Sequence, residues 1–140
     1  MAVVYFDSSA FVKLLVDEEG SDLAAQLWDG CDAAVSSRLA YPEVRAALAA
    51  AARDGRLERQ AHETAEADWE EFWSATRVIE MSEAVAQHAG GLAQEYALRG
   101  ADAVHLASAL ALGTNTVVLA VWDTRLRLGA EAAGLRIAPA

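Results

Sequence analysis

Val3-Val4-Tyr5-Phe6-Asp7-Ser8-Ser9-Ala10 is an unbroken β-favouring run that ends on an acid and passes into residues able to start a helix. Such a run reads as a fully buried strand, the kind found in parallel sheets covered on both faces. Asp7 is thereby placed just beyond the C-terminal end of a strand, the edge where open α/β sheets build their sites. A helix cap is the rival reading of Asp7. Near the other end of the chain, Thr116-Val117-Val118-Leu119-Ala120-Val121-Trp122-Asp123 repeats the pattern, an apolar strand that stops on an acid.

Between these two strands the apolar spacing alternates between helix and strand. Ala10 to Val16 reads as a short buried helix stopped by Asp17-Glu18-Glu19-Gly20, and Ser21 as the N-cap of a second helix through Asp29, closed by Gly30. Ala33-Ala34-Val35-Ser36 is a short second strand. Leu39 to Leu48 is helical, with Pro42 in a tolerant first turn. That spacing puts Glu43 on the face of Ala46, Ala47 and Ala50, which predicts an inward-pointing acid; a dipole-favoured first-turn acid is the rival account. Asp54-Gly55 breaks the helix, and Glu58 to Phe72 resumes it. The resulting hairpin carries Trp69, Phe72 and Trp73 on or near its apolar seam, for core packing or for a dimer or partner surface.

Arg77 to Met81 is a third strand, and Ser82 caps a helix running to Leu98. Gly100 ends that helix and Asp102 opens the next, with His105, Leu106 and Ala109 following on its face. His105 reads as a packed or hydrogen-bonded structural histidine, because no second His or Cys lies at ligand spacing. Thr124 to Ala133 is a short helix stopped by Gly134, and Leu135 to Ala138 a last strand. The alternation predicts an α/β fold with a central, mainly parallel sheet covered by helices on both faces.

The chain of 140 residues is expected to form a single domain over 1–140. No apolar run approaches the roughly 18 residues of a membrane span, and no basic, then apolar, leader opens the chain, so a soluble cytoplasmic protein is expected. The one cysteine, Cys31, has no partner for an internal disulfide. Eleven basic against 21 acidic residues give a net charge of −10, which argues against gripping a polyanion with a broad basic surface. Nucleic-acid chemistry is still open to such a chain if cations held by carboxylates neutralise the phosphate.

Strand ends and helix N-termini share one edge of a parallel sheet, so Asp7, Asp123, Glu43 and Asp102 are expected to converge. Carboxylates held a few ångströms apart repel, and some stay protonated unless a cation joins them. Mg²⁺ or Mn²⁺ suits an all-oxygen set without Cys or His. Such a site suits phosphodiester hydrolysis. Ser9, two residues past Asp7, reads either as a partner of a ligating carboxylate or as a structural cap.

The chain resembles a PIN-domain ribonuclease and, within that family, the toxin half of VapBC toxin–antitoxin pairs. The resemblance rests on Tyr5-Phe6-Asp7-Ser8-Ser9-Ala10, Pro42-Glu43-Val44-Arg45-Ala46-Ala47-Leu48, Leu98-Arg99-Gly100-Ala101-Asp102-Ala103-Val104-His105-Leu106-Ala107-Ser108-Ala109, and Trp122-Asp123-Thr124-Arg125-Leu126 with Ala133-Gly134-Leu135, in that order over essentially the whole chain. Trp122 departs from the pattern, standing where the family usually has a small hydroxyl residue. The resemblance implies a PIN-like three-layer α/β/α sandwich and a Mg²⁺- or Mn²⁺-dependent endoribonuclease. Asp7, Glu43, Asp102 and Asp123 take its catalytic and metal-binding positions, and Ser9 and Thr124 supporting or substrate-positioning ones. It also implies an RNA substrate, a homodimer, and a VapB-like antitoxin whose C-terminal segment fills the acidic groove, often with an arginine.

Rival classes fit less well. A phosphoacceptor receiver domain pairs acids early and places a lysine beyond its last strand, whereas the only lysine here is Lys13. A haloacid-dehalogenase-like phosphatase needs a second Asp where Ser9 stands. A catalytically silent PIN-like binding module keeps the same acids, and metal titration with RNA turnover distinguishes it from the enzyme.

Overall fold

The computed structural model describes residues 2–140. Five strands, β1 (Val3–Phe6), β2 (Ala33–Ser37), β3 (Arg77–Ile79), β4 (Val117–Ala120) and β5 (Arg136–Ala138), form one sheet in the order β3-β2-β1-β4-β5. Every pairing is parallel, with Val3 opposite both Ala33 and Val117 and Phe6 opposite Ala120. Seven helices connect them: α1 (Ser8–Leu15), α2 (Ser21–Gly30), α3 (Ala40–Arg53), α4 (Arg59–Ser74), α5 (Glu83–Tyr96), α6 (Gly100–Leu110) and α7 (Thr124–Ala132). The chain builds outward from β1 to β3, then returns to add β4 on the other side of β1. The strand order therefore reverses between β1 and β4, the position where open α/β sheets place ligands.

Alternation along β1 divides the core in two. Tyr5 enters a cluster with Leu92, Leu106, Leu119 and Leu126, beneath α5, α6 and α7. Val4 and Phe6 enter the opposite one with Phe11, Val44, Leu48 and Trp69, beneath α1, α3 and α4. The result is the predicted three-layer α/β/α sandwich. Trp69 of the α3–α4 hairpin is core, fully buried and 4.8 Å from Phe11 between ring centroids. Phe72, 4.9 Å from Trp28, and Trp73 are half-buried at the surface of the same cluster.

Several local expectations shift. Ser21 is the first residue of α2 rather than its cap; its hydroxyl donates to the Val16 carbonyl, and Gly20 holds the cap position in a left-handed conformation, φ 92°. Met81 lies beyond β3 and is 46% exposed. Asp102 is the third residue of α6, whose cap is Arg99, and Ala97 closes α5 in the left-handed region. Ser82 caps α5 as expected, accepting from Val85 N–H at 3.1 Å.

Gly20 meets two constraints at once. A Cβ there would lie 2.8 Å from Trp122 Nε1 and 3.1 Å from Lys13 Cδ, on a backbone that L side chains avoid. Gly20→Ala is expected to destabilise the protein by at least about 1–2 kcal/mol, the cost of a left-handed non-glycine residue alone. Urea unfolding of the variant against wild type measures it.

Candidate metal centre

The four acids reach one place from four separate elements. Asp7 ends β1 and caps α1, accepting from Ala10 N–H at 2.8 Å. Asp123 follows β4 and caps α7, accepting from Leu126 N–H at 3.0 Å. Glu43 stands in the first turn of α3 and Asp102 in the first turn of α6. All four line a single cavity of about 470 Å³ at the C-terminal edge of the sheet, with Ser9, Lys13, Arg99 and Trp122 in the same wall. Asp7 and Asp123 thus cap helices and also line the cavity, since one oxygen can serve the helix while the carboxylate still faces the opening. Thr124, the first residue of α7, is exposed and not part of this wall.

Each acid has its own environment. Asp7 is only 4% exposed; Ser9 Oγ donates to both its oxygens at 3.1 Å. Burial pushes the Asp7 carboxyl above the ordinary carboxylate range, with Asp102 adding to the rise, while His105, Ala10 N–H and Ser9 oppose it. Asp102 accepts from Arg99 Nε at 3.1 Å. The Arg99 pKa is raised mainly by Asp102, with Asp123 and Glu43 adding to it, so this guanidinium senses three of the four acids.

Glu43 turns inward for a reason its own helix does not supply. Ala46 and Ala47 are exposed, and the buried face of α3 is Ala40, Val44, Leu48 and Ala51. The carboxylate is held from across the core by His105 Nε2, 2.6 Å from Glu43 Oε1. His105 is 1% exposed, and its Nδ1 lies 2.7 Å from the Tyr5 hydroxyl. His105 is a hydrogen-bonded core histidine, as its spacing predicts, whereas the places of Tyr5 beneath it and of Arg99 and Lys13 in the cavity wall are not among the sequence expectations. Arg99 and His105 each lie three residues from Asp102, a helical-neighbour spacing that carries a usable signal. Lys13 Nζ donates to the Glu19 carbonyl at 2.7 Å and lies 5.2 Å from the Trp122 ring centroid.

The residues fit a hard divalent cation. Every acidic donor is oxygen, and Asp7 is a buried carboxylate whose hydrogen-bond partners are a hydroxyl and a backbone N–H, with no ion pair among the described residues. A positive charge in the cavity would offset its desolvation. Among the described residues, no three His, Cys, Asp or Glu groups close on one point. Glu43, Asp102 and Asp123 are instead held by His105, Arg99 and the Leu126 N–H.

A family profile described as PIN domain matches residues 4–127. The chain is similar to Ribonuclease VapC49 of Mycobacterium tuberculosis, 67% identical over 140 residues, covering 100% of this chain and 97% of the relative. Its fold is similar to that of the crystal structure of PAE2754 from Pyrobaculum aerophilum, with a TM-score of 0.71 at 20% identity over 97% of this chain and 89% of that one. It is also similar to a toxin–antitoxin complex from Klebsiella pneumoniae, with a TM-score of 0.59 at 21% identity over 86% and 87% of the two chains.

The raised Asp7 pKa has a sign that thermal melts can read. The folded, cation-free protein keeps a proton on Asp7 that the unfolded chain releases above about 3.8. Stability from this residue is therefore lost as pH rises through the folded-state value. In chelator, Asp7→Asn is expected to melt higher than wild type at pH 7, with the gap closing below the ordinary carboxylate range. A variant that melts lower at pH 7 would show that the buried charge is not the dominant cost.

Proposed function

The chain belongs to the PIN-domain family, among the VapC ribonucleases, and from that premise we propose that its acid-lined cavity is the centre of a metal-dependent endoribonuclease acting as the toxin of a toxin–antitoxin pair. The observation that carries this reading is the convergence of Asp7, Glu43, Asp102 and Asp123 on one wall at the point where the strand order reverses. The reaction is hydrolysis of an RNA phosphodiester bond, with Mg²⁺ or Mn²⁺ as the cation.

Asp7 and Asp102 are the firmest ligands in this reading, with Asp123 and Glu43 binding directly or through water. The bound cation supplies Lewis acidity toward the phosphodiester, activation of water, and the charge that keeps the carboxylates ionised together. The protein's part is placement. Ser9 and the Ala10 N–H hold Asp7 in one orientation, and His105 holds Glu43. Arg99, exposed at the cavity rim, can leave Asp102 for a substrate phosphate once a cation occupies the acids. With a net charge of −10, Arg99 and Lys13 are the local cations that favour an RNA backbone at this wall.

The same charge logic supports an antitoxin that inserts an arginine. Arg99 on Asp102 is an example within the chain of a guanidinium taking a place among these acids. A homodimer and a cytoplasmic setting complete the reading. No helix among the described residues is long and apolar enough to cross a membrane.

Incubating the purified, antitoxin-free protein with total RNA tests the enzyme. Cleavage is expected with Mg²⁺ or Mn²⁺, none with chelator, and a fall of more than about 100-fold for Asp7→Asn, since residues outside the first coordination layer alone cost about 10–100-fold. A folded, cation-binding protein that cuts no RNA would turn the reading to a silent binding module. Binding of an arginine-bearing antitoxin peptide is expected to weaken for Asp7→Ala plus Asp102→Ala; unchanged affinity in calorimetry would remove the acid cluster as its seat.

A further inference from the structure

A line of buried polar groups crosses the core and ends at the cavity. The Ser37 N–H donates to the Tyr5 hydroxyl at 3.1 Å, the Tyr5 hydroxyl lies 2.7 Å from His105 Nδ1, and His105 Nε2 lies 2.6 Å from Glu43 Oε1. A carboxylate only accepts, so the imidazole proton on this side sits on Nε2. In the neutral ring Nδ1 is then an acceptor, filled by the Tyr5 O–H. Ser36 and Ser108 hydroxyls, beside the same phenol, donate to the Phe6 and Val104 carbonyls.

We propose that His105 is a positioning residue for the metal centre, holding Glu43 in the one orientation that faces the other acids, with Tyr5 fixing the tautomer and tilt of the imidazole. The inference rests on the metal-centre reading above and adds the residues that prepare it. Three features set this line apart from ordinary core hydrogen bonding. Tyr5 and His105 are fully buried, at 0% and 1% exposure, whereas Glu43 is 26% exposed at the cavity wall. The buried end therefore governs an accessible group, not another core group. The final contact is short and charge-assisted, the stronger class of hydrogen bond. If Glu43 turned toward solvent, it would strand an imidazole N–H inside the protein, which buried polar groups avoid. Nothing on α3 itself restrains the side chain, because its neighbours Ala46 and Ala47 are exposed methyl groups.

The test compares His105→Leu and His105→Gln in the wild-type and Glu43→Ala backgrounds. Mn²⁺ affinity is measured by calorimetry without RNA, and turnover separately on a cleaved RNA. His105→Leu is expected to weaken Mn²⁺ binding and lower kcat by about 10–100-fold, as loss of a residue supporting a metal ligand typically does. His105→Gln, whose amide N–H can replace Nε2–H, restores most of both. Neither substitution has a further effect once Glu43 is Ala. An equal loss in both backgrounds, or no loss in a folded His105→Leu, overturns the proposal. Should His105→Leu fail to fold, Tyr5→Phe takes its place: a several-fold loss confined to the Glu43 background supports the proposal, and no loss or an equal loss in both overturns it. A Glu43→Ala protein that matches wild type in affinity and turnover removes Glu43 from the centre, and with it this inference. A Glu43→Ala defect with wild-type behaviour of the His105 variants removes the inference alone.

Discussion

β1 is hydrogen-bonded along both edges, to β2 on one side and β4 on the other, and its two faces are buried in separate cores. A strand held in this way cannot slide or tilt without breaking both ladders and exposing Tyr5 or Phe6. Its C-terminal end is consequently among the most constrained points of the protein, and Asp7 is the next residue. β4, the neighbour across the reversal of strand order, ends in the same way near Asp123. Both acids line the cavity beyond this edge, Asp7 directly after β1 and Asp123 three residues after the end of β4. The other two arrive in the first turns of α3 and α6, which open at the same cavity.

That placement is unfavourable in the absence of a cation. A carboxylate buried to the extent of Asp7 is pushed toward its protonated form, and Asp102 adds to the push. The chain manages each of the remaining acids locally: a guanidinium on Asp102, an imidazole on Glu43, a helix N-terminus on Asp123. Such arrangements hold the donors near each other while limiting their repulsion. An overall charge of −10 is compatible with local attraction at this edge, because solvent screens the more distant charges. Concentrating like charge at this edge works against stability.

The same cavity shows how a single departure is accommodated. Trp122 takes up space that a small residue would leave empty, and it is received by the absence of a side chain at Gly20 and by the Lys13 stem. Lys13 is in turn tied to the Glu19 carbonyl. The indole, the ammonium and the left-handed glycine form one unit that spans the α1–α2 loop and the end of β4.

Much of the frame was legible locally. Apolar runs of four or five residues that end on an acid marked β1 and β4, and Asp7 and Ser82 followed by helical spacing marked two caps that the structure contains. The Arg99–Asp102 pair lies within one helical turn and was equally open to a local reading. Glu43 was not. Ala46 and Ala47, whose small side chains suggest an inward face, are exposed; the partner of Glu43, His105, is 62 residues away, and Tyr5 is a further 100 residues from His105 in the other direction. Local rules reach about four residues, the span over which a helix brings side chains together. The sequence by itself therefore determined the elements, the edge and the residue types that line the candidate site. Which acid is buried, which is paired and which is steered from the core were decided only when α3 and α6 docked on the sheet, because those contacts join residues that no periodicity links.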